Sequence, residues 1–313
     1  MKADKLVRRT AEYRSYIPGV TKIQGGVHIC VKSSGEELSL VICEEGKRGR
    51  KQIPFFPDDR IGDIWTMELM GEDFSGLIYC LEEDGKEVPD PCGKEFAGRE
   101  RWGDSRQAKK TAYTRLVCED YDWEGDRPLK HSYNETILYR LHVRGFTKHP
   151  SSRTENRGTF QAITEKIPYL KNLGVTAVEL MPPNEFTEVL MENGADGNPY
   201  ATGEPTGKIN YWGYGESWLF APKSAYASGA EKHAVREFRD LVKELHRNGI
   251  EIVIELYFTG KEGTALIQEA VRSWVYDFHV DGIHLTGAVP ADSLADDPLL
   301  ADTKLFALAW NGR

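Results

Sequence analysis

Between Gly26 and about Gly85 the apolar residues arrive in short runs: Val27 to Val31, Leu38 to Cys43, Ile64 to Leu69 and Leu77 to Leu81. Gly, Asp and Pro break them apart in KRGRKQIP and PDDRIGD. Short β-rich runs bounded by turn formers predict an antiparallel β-sandwich. After Asn134 the period changes. ILYRLHVRG reads as a strand, and TFQAITEKIPYLKNLG as a helix with Phe160, Ile163, Ile167, Leu170 and Leu173 on one face and Gly174 as its C-cap. VTAVELMP is the next strand. KHAVREFRDLVKELHRNG repeats the device with Val235, Phe238, Leu241, Val242 and Leu245, closed by Gly249 before IEIVIELYF. TALIQEAVRSWVYDFHVDG leads to GIHL, and a shortened connection to TKLFALAW. Near-continuous apolar strands alternating with helices predict about five parallel strands in βαβ units buried on both faces, in a doubly wound sheet or a barrel.

The expected organisation is therefore a 1–25 extension, a 26–85 sandwich, an 86–134 linker packed on both domains, and a 135–313 α/β region. The linker assignment rests on irregular, charged, Pro- and Gly-rich stretches, VPDPCGKEFAGRERWGDSRQAKK and DYDWEGDRPLKHSYN. At 313 residues the chain is long enough for two cores.

Composition narrows the partners. A formal net charge of -9 repels phosphate backbones and anionic membranes, so neither nucleic acid nor membrane is an expected partner. Five cysteines (Cys30, Cys43, Cys80, Cys92, Cys118) lack a CxxC pair and are odd in number, which suits reduced thiols rather than a disulfide framework or zinc ribbon. The N-terminus MKADKLVRRT has no apolar run behind it, and a cytoplasmic location is expected. ENGADGNPYATG, with Asp196 and Asn198, has the look of a calcium loop but lacks the bidentate glutamate at its twelfth position. No metal or other cofactor is expected.

In their order along the chain, YDWEGDRPLKHSYNETILYRLHVRGFT (121–147), INYWGYGESWLFAPKSAYAS (209–228) and DDPLLADTKLFALAWN (296–311) resemble the isoamylase, pullulanase and glycogen-debranching branch of the α-amylase superfamily, glycoside hydrolase family 13. The resemblance runs from about Gly26 to Asn311. It implies a multidomain β plus α/β protein: an N-terminal immunoglobulin-like β-sandwich, the glucan-associated module, followed by an incomplete TIM (β/α) barrel. It also implies an α-glucan (glycogen, starch or maltooligosaccharide) as partner.

A retaining glycosidase needs a carboxylate nucleophile and a carboxylic acid roughly 5–5.5 Å apart, at the C-terminal ends of barrel strands. The family's nucleophile strand reads about Gly-Phe-Arg-Phe-Asp; GIHLT puts His284 at the arginine and Thr286 at the aspartate. The family's acid lies in Ala-Glu-Pro-Trp; Ala307, Leu308, Ala309, Trp310 puts a leucine there. The Asp-Val-Val-Tyr-Asn-His pattern becomes Glu255 to Gly260. No family catalytic residue is intact at Thr286, Leu308 or His284. A threonine hydroxyl needs an adjacent base, and His284 is the nearest in sequence but has no evident third group to orient it.

For substrate, the resemblance points to Tyr211 beside Trp212 as a ring stacked on sugar, with loop packing as the equal alternative. Trp65, Tyr79 and Trp102 are further candidates for a glucan-binding platform; Trp102, in a polar stretch beside Gly103, is expected to be exposed and to bind substrate, and Trp65 to be core. Glu179, Glu185, Glu255 and Asp281 are expected near strand ends, paired with a cation such as Arg144, and His142 and His279 as satisfied core histidines. The chain stops at Arg313, before the sixth to eighth strands of such a barrel, so open strand edges and self-association or a second polypeptide completing the barrel are expected. The functions left standing are an inactive α-glucan-binding homologue, an active α-1,6-glucosidase fragment, and a structural subunit.

Overall fold

A computed structural model describes residues 2–11, 16–116, 120–193, 203–228 and 233–307. The chain forms two compact units, Met1–Arg99 with Ser105–Glu119, and Glu100–Asp104 with Asp120–Arg313.

The first unit holds strands β1 (Val7–Thr10), β2 (Gly19–Ile23), β3 (Gly26–Lys32), β4 (Leu38–Glu44), β5 (Arg50–Pro54), β6 (Arg60–Ile61), β7 (Ile64–Met70), β8 (Leu77–Glu83), β9 (Lys86–Val88), β10 (Phe96–Ala97) and β11 (Tyr113–Arg115), with the single-turn helix α1 (Ser105–Ala108). They make two antiparallel sheets, ordered β1-β7-β3-β2 and β10-β11-β8-β4-β5; β6 adds to β7 and β9 to β8. Alternate residues of β3 (Val27, Ile29, Val31), β4 (Leu40, Ile42), β7 (Trp65, Met67, Leu69) and β8 (Leu77, Tyr79, Leu81) form one core between the sheets, as a period of two dictates. Trp65 is core, its indole N–H donating to the Ser33 carbonyl at 3.1 Å.

Strand pairing extends beyond the 26–85 span read from sequence. β1 and β2 lie within the expected extension, and β9, β10 and β11 within the expected linker. β1 carries mostly exposed side chains and is held by its backbone, Val7 opposite Met70 through Thr10 opposite Met67. An edge strand secured by main-chain hydrogen bonds needs no apolar alternation, so the pattern is silent there.

The second unit is built on a parallel sheet of β12 (Leu138–Leu141), β13 (Ala177–Leu180), β18 (Glu251–Phe258), β19 (Gly282–Gly287) and β20 (Lys304–Ala307), in that spatial order. The order follows the chain without the reversal of a doubly wound sheet. Among the described residues β12 and β20 each pair on one side only. Between β13 and β18 lie β14 (Asn184–Phe186) paired with β17 (Ser217–Pro222), and β15 (Val189–Met191) paired with β16 (Pro205–Ile209).

Helices α2 (Val143–Thr147), α3 (Phe160–Thr164), α4 (Ile167–Asn172), α5 (Ala234–Arg247), α6 (Thr264–Phe278) and α7 (Ala291–Ala295) connect the strands. The single helix expected over 159–174 is two. Pro168, at the second position of α4, has no N–H to continue the ladder, and Leu173, expected on the apolar face, is 51% exposed. The expected face of α5 is buried as read.

Residues 120–134 belong to the second unit rather than bridging two. Asp281 accepts the Leu129 N–H at 3.1 Å, and Glu251 that of His131 at 2.8 Å. His246 lies between Asp126 (3.0 Å) and Asp281 (2.8 Å), and His279 reaches Asp126 at 2.9 Å while stacking on Trp123. Among the described residues no helix is long and apolar enough to cross a membrane.

Candidate functional site

Parallel register brings a polar group together towards the C-terminal ends of four strands. Arg140 of β12 lies opposite Glu179 of β13, and Glu255 of β18 opposite His284 of β19. Alternation puts Thr286 on the same face as His284. The Arg140 guanidinium spans both carboxylates, Nε donating to Glu179 at 3.0 Å and Nη2 to Glu255 at 2.5 Å. Glu179 also takes His284 Nδ1 at 2.7 Å. Glu255 also accepts the Thr286 hydroxyl at 3.2 Å and the Tyr214 phenol at 3.3 Å. Burial, then the Glu255 charge, pushes the Tyr214 phenol upward and keeps it a donor.

Both glutamates are buried, at 4% and 1% exposure, and such carboxylates are tolerable only when paired and hydrogen-bonded. The cation that pairs with them is Arg140, whereas Arg144 was the expected partner. Arg144 instead lies over the Trp102 ring, 4.9 Å from its centroid. Glu185 takes another unforeseen cation: Lys223, fully buried, donates to Glu185 at 3.1 Å, to Glu188 at 3.2 Å and to the Phe186 carbonyl at 2.8 Å. Asp281 is held by His246 at the opposite, N-terminal end of the sheet.

Thr286 and His284 therefore engage different carboxylates. A third group does orient His284, namely Glu179, while the Thr286 hydroxyl has two acceptors in reach, Glu255 at 3.2 Å and the Leu256 carbonyl at 3.3 Å, and Glu255 shares the Arg140 guanidinium with Glu179. Leu308 lies outside the described residues, as do Asp196 and Asn198.

A second group of rings stands beside the end of β12. His142 caps α2: its Nδ1 accepts the Gly145 N–H at 2.9 Å, so Nε2 carries the proton and donates to the Tyr211 carbonyl at 2.8 Å. Burial holds this imidazole below its usual pKa and hence neutral. Tyr211 stacks on His142, centroids 4.5 Å apart. Trp102, expected to be exposed, is half-buried: it stacks on Tyr226 at 5.7 Å and meets Phe186, Tyr211 and His142 edge-on. The polar stretch around it gave no hint of these rings, which arrive from the end of β12, from β14 and from the connections after β16 and β17. Trp212, 50% exposed and edge-on to Tyr211, offers the open aromatic face. Among the described residues no three His, Cys, Asp or Glu side chains gather as a metal site.

No family model matches the chain. It is 31% identical over 287 residues to the glycogen debranching enzyme of Pectobacterium atrosepticum, across 80% of this chain and 41% of that enzyme. It is 26% identical to the chloroplastic isoamylase SU1 of Zea mays, across 94% of this chain and 49% of that protein. The pullulanase of Paenibacillus barengoltzii, solved with maltohexaose and α-cyclodextrin, shares its fold at a TM-score of 0.67 and 18% identity, over 87% of this chain and 49% of that one. The chain spans about half the length, or less, of these relatives.

Proposed function

We propose, starting from a chain that belongs to the isoamylase, pullulanase and glycogen-debranching branch of the α-amylase superfamily, that it is a debranching-type homologue which holds α-glucan without cutting it. In this reading the two-sheet unit is an immunoglobulin-like module, and the parallel sheet is an arc of a TIM barrel. One observation carries the proposal: residue 286, which the family resemblance sets at the nucleophile position, is a threonine whose hydroxyl lies within hydrogen-bond reach of Glu255 and of the Leu256 carbonyl, with Glu255 itself bound by Arg140. A carboxylate at that place would supply the covalent intermediate and the charge that balances an oxocarbenium-like transition state; a hydroxyl does neither. Leucine at position 308, where the family motif has its acid, removes the proton donor as well.

Sugar binding is supported by the open face of Trp212 beside Tyr211, against which the apolar C–H face of a glucose unit packs. The related pullulanase, crystallised with maltohexaose, supports the same ligand class. The competing reading is an active α-1,6-glucosidase, favoured by the 31% identity to a glycogen debranching enzyme.

Two measurements separate them. The purified chain incubated with glycogen is expected to release no reducing ends above a heat-denatured control; steady release would overturn the inactive reading. In gels containing glycogen its migration is expected to be retarded, and Trp212→Ala to weaken that retardation about tenfold, equivalent to ~1.4 kcal/mol for one lost ring face. Unretarded migration of the unaltered chain would sink the glucan-binding reading.

A further inference from the structure

Beside the exposed Trp212 stands a cationic group that the glucan reading leaves without a task. Arg144 and Lys148 lie four residues apart across the single turn of α2, and so share a face. Gly158 brings their stems together: a side chain there would meet Arg144 Cγ and Lys148 Cδ, both 3.3 Å from the Cβ position. Arg157 is the residue before that glycine. Lys148 and Arg157 are exposed, and Arg144 is half-buried against Trp102.

The other charges nearby do not cancel these three. Glu165 accepts the Glu155 and Asn156 backbone N–H groups at 2.8 and 3.4 Å. Glu188, which the Arg144 charge feels, is held by Lys223 and the Gly103 N–H. No carboxylate among the described residues forms an ion pair with Arg144, Lys148 or Arg157. Arg144 foremost, then burial and Arg157, holds the Lys148 ammonium below its usual pKa. Like charges gathered in this way lower stability unless an anion joins them, and they stand out in a chain with a net charge of -9.

The same place offers an aromatic face. Tyr211 links the two features: its hydroxyl lies 3.1 Å from where a side chain at Gly145 would begin, and its ring meets Trp212 edge-on at 5.2 Å. We infer that Arg144, Lys148 and Arg157 bind a phosphate monoester carried by the α-glucan whose sugar face rests on Trp212, an inference that rests on the glucan-binding reading above. The guanidiniums supply paired N–H donors to phosphate oxygens and the ammonium a point charge.

The test is calorimetric binding of the full chain to maltoheptaose, to maltoheptaose bearing one phosphate monoester, and to inorganic phosphate. Each is repeated with the doubly substituted Lys148→Gln, Arg157→Gln variant, whose positions are exposed and whose circular dichroism spectrum is expected to match that of the unaltered chain. The phosphorylated sugar is expected to bind about tenfold more tightly than the plain one. The variant should lose that advantage while keeping its affinity for maltoheptaose, and added salt should erode the advantage as screening requires. Equal affinity for the two oligosaccharides, or an advantage that survives in the variant, overturns this inference and leaves the proposed function standing. Phosphate binding without either oligosaccharide overturns the proposed function, and the phosphoglucan ligand with it.

Discussion

Arg140 shows how one side chain holds a group of others in place. Its guanidinium joins two buried glutamates on neighbouring strands, which in turn fix His284, Thr286 and Tyr214. Arg140→Ala leaves Glu179 and Glu255 short of donors in a buried setting. Because the Arg140 side chain is itself 43% exposed, water replaces part of what is lost. The expected loss of unfolding free energy in urea is about 1–3 kcal/mol; an unchanged midpoint would mean the bridge is ornamental. The sequence announced Glu179 and Glu255 as carboxylates near strand ends. It mispaired the cation, because the strand read over ILYRLHVRG runs on through Arg144, whereas β12 ends at Leu141 and Arg144 stands on α2.

At the scale of elements, α5 was legible because an amphipathic period of 3.6 over four turns, capped by glycine, admits few other readings. Its burial is anchored by Phe238, fully enclosed among Phe160 of α3 (5.3 Å between centroids), and Trp274 (5.1 Å) and Phe278 (5.5 Å) of α6. Phe238→Ala is expected to cost about 3–5 kcal/mol by chemical denaturation, the sum of lost burial and a cavity that aromatic neighbours fill poorly. A cost below ~1 kcal/mol would show that the aromatic seam repacks. The short strands were illegible for the opposite reason. β10 and β11 have two and three residues, too few to display a period, and pair because neighbouring strands already present backbone groups.

At the scale of the molecule, the stretch at 120–134 is fastened to the N-terminal end of the parallel sheet largely by histidine and aspartate. Burial alone would lower the His246 pKa, but Asp281 and Asp126 outweigh it and the net shift is upward from 6.5. A raised folded-state pKa contributes stability that is fully present below pH 6.5 and disappears as pH rises through the folded value. The melting temperature is therefore expected to fall as pH is raised from about 6.5 towards 9, and His246→Gln to flatten that slope while lowering stability at pH 6. A slope unchanged in the variant would assign the pH dependence elsewhere.

The sequence by itself determined the order of a β-rich part and an α/β part, the faces of the long helix and buried strands, and the absence of carboxylates at positions 286 and 308. Those are local properties: periodicity and side-chain chemistry are written residue by residue. Only the tertiary structure decided that Trp102 packs among rings from distant segments, that Lys223 and not Arg144 pairs with Glu185, and that Arg144 and Lys148 meet at Gly158, next to Arg157. Each of these depends on which segments fold back against one another, and burial and charge pairing between residues far apart in the chain are set by that packing rather than by any pattern along it.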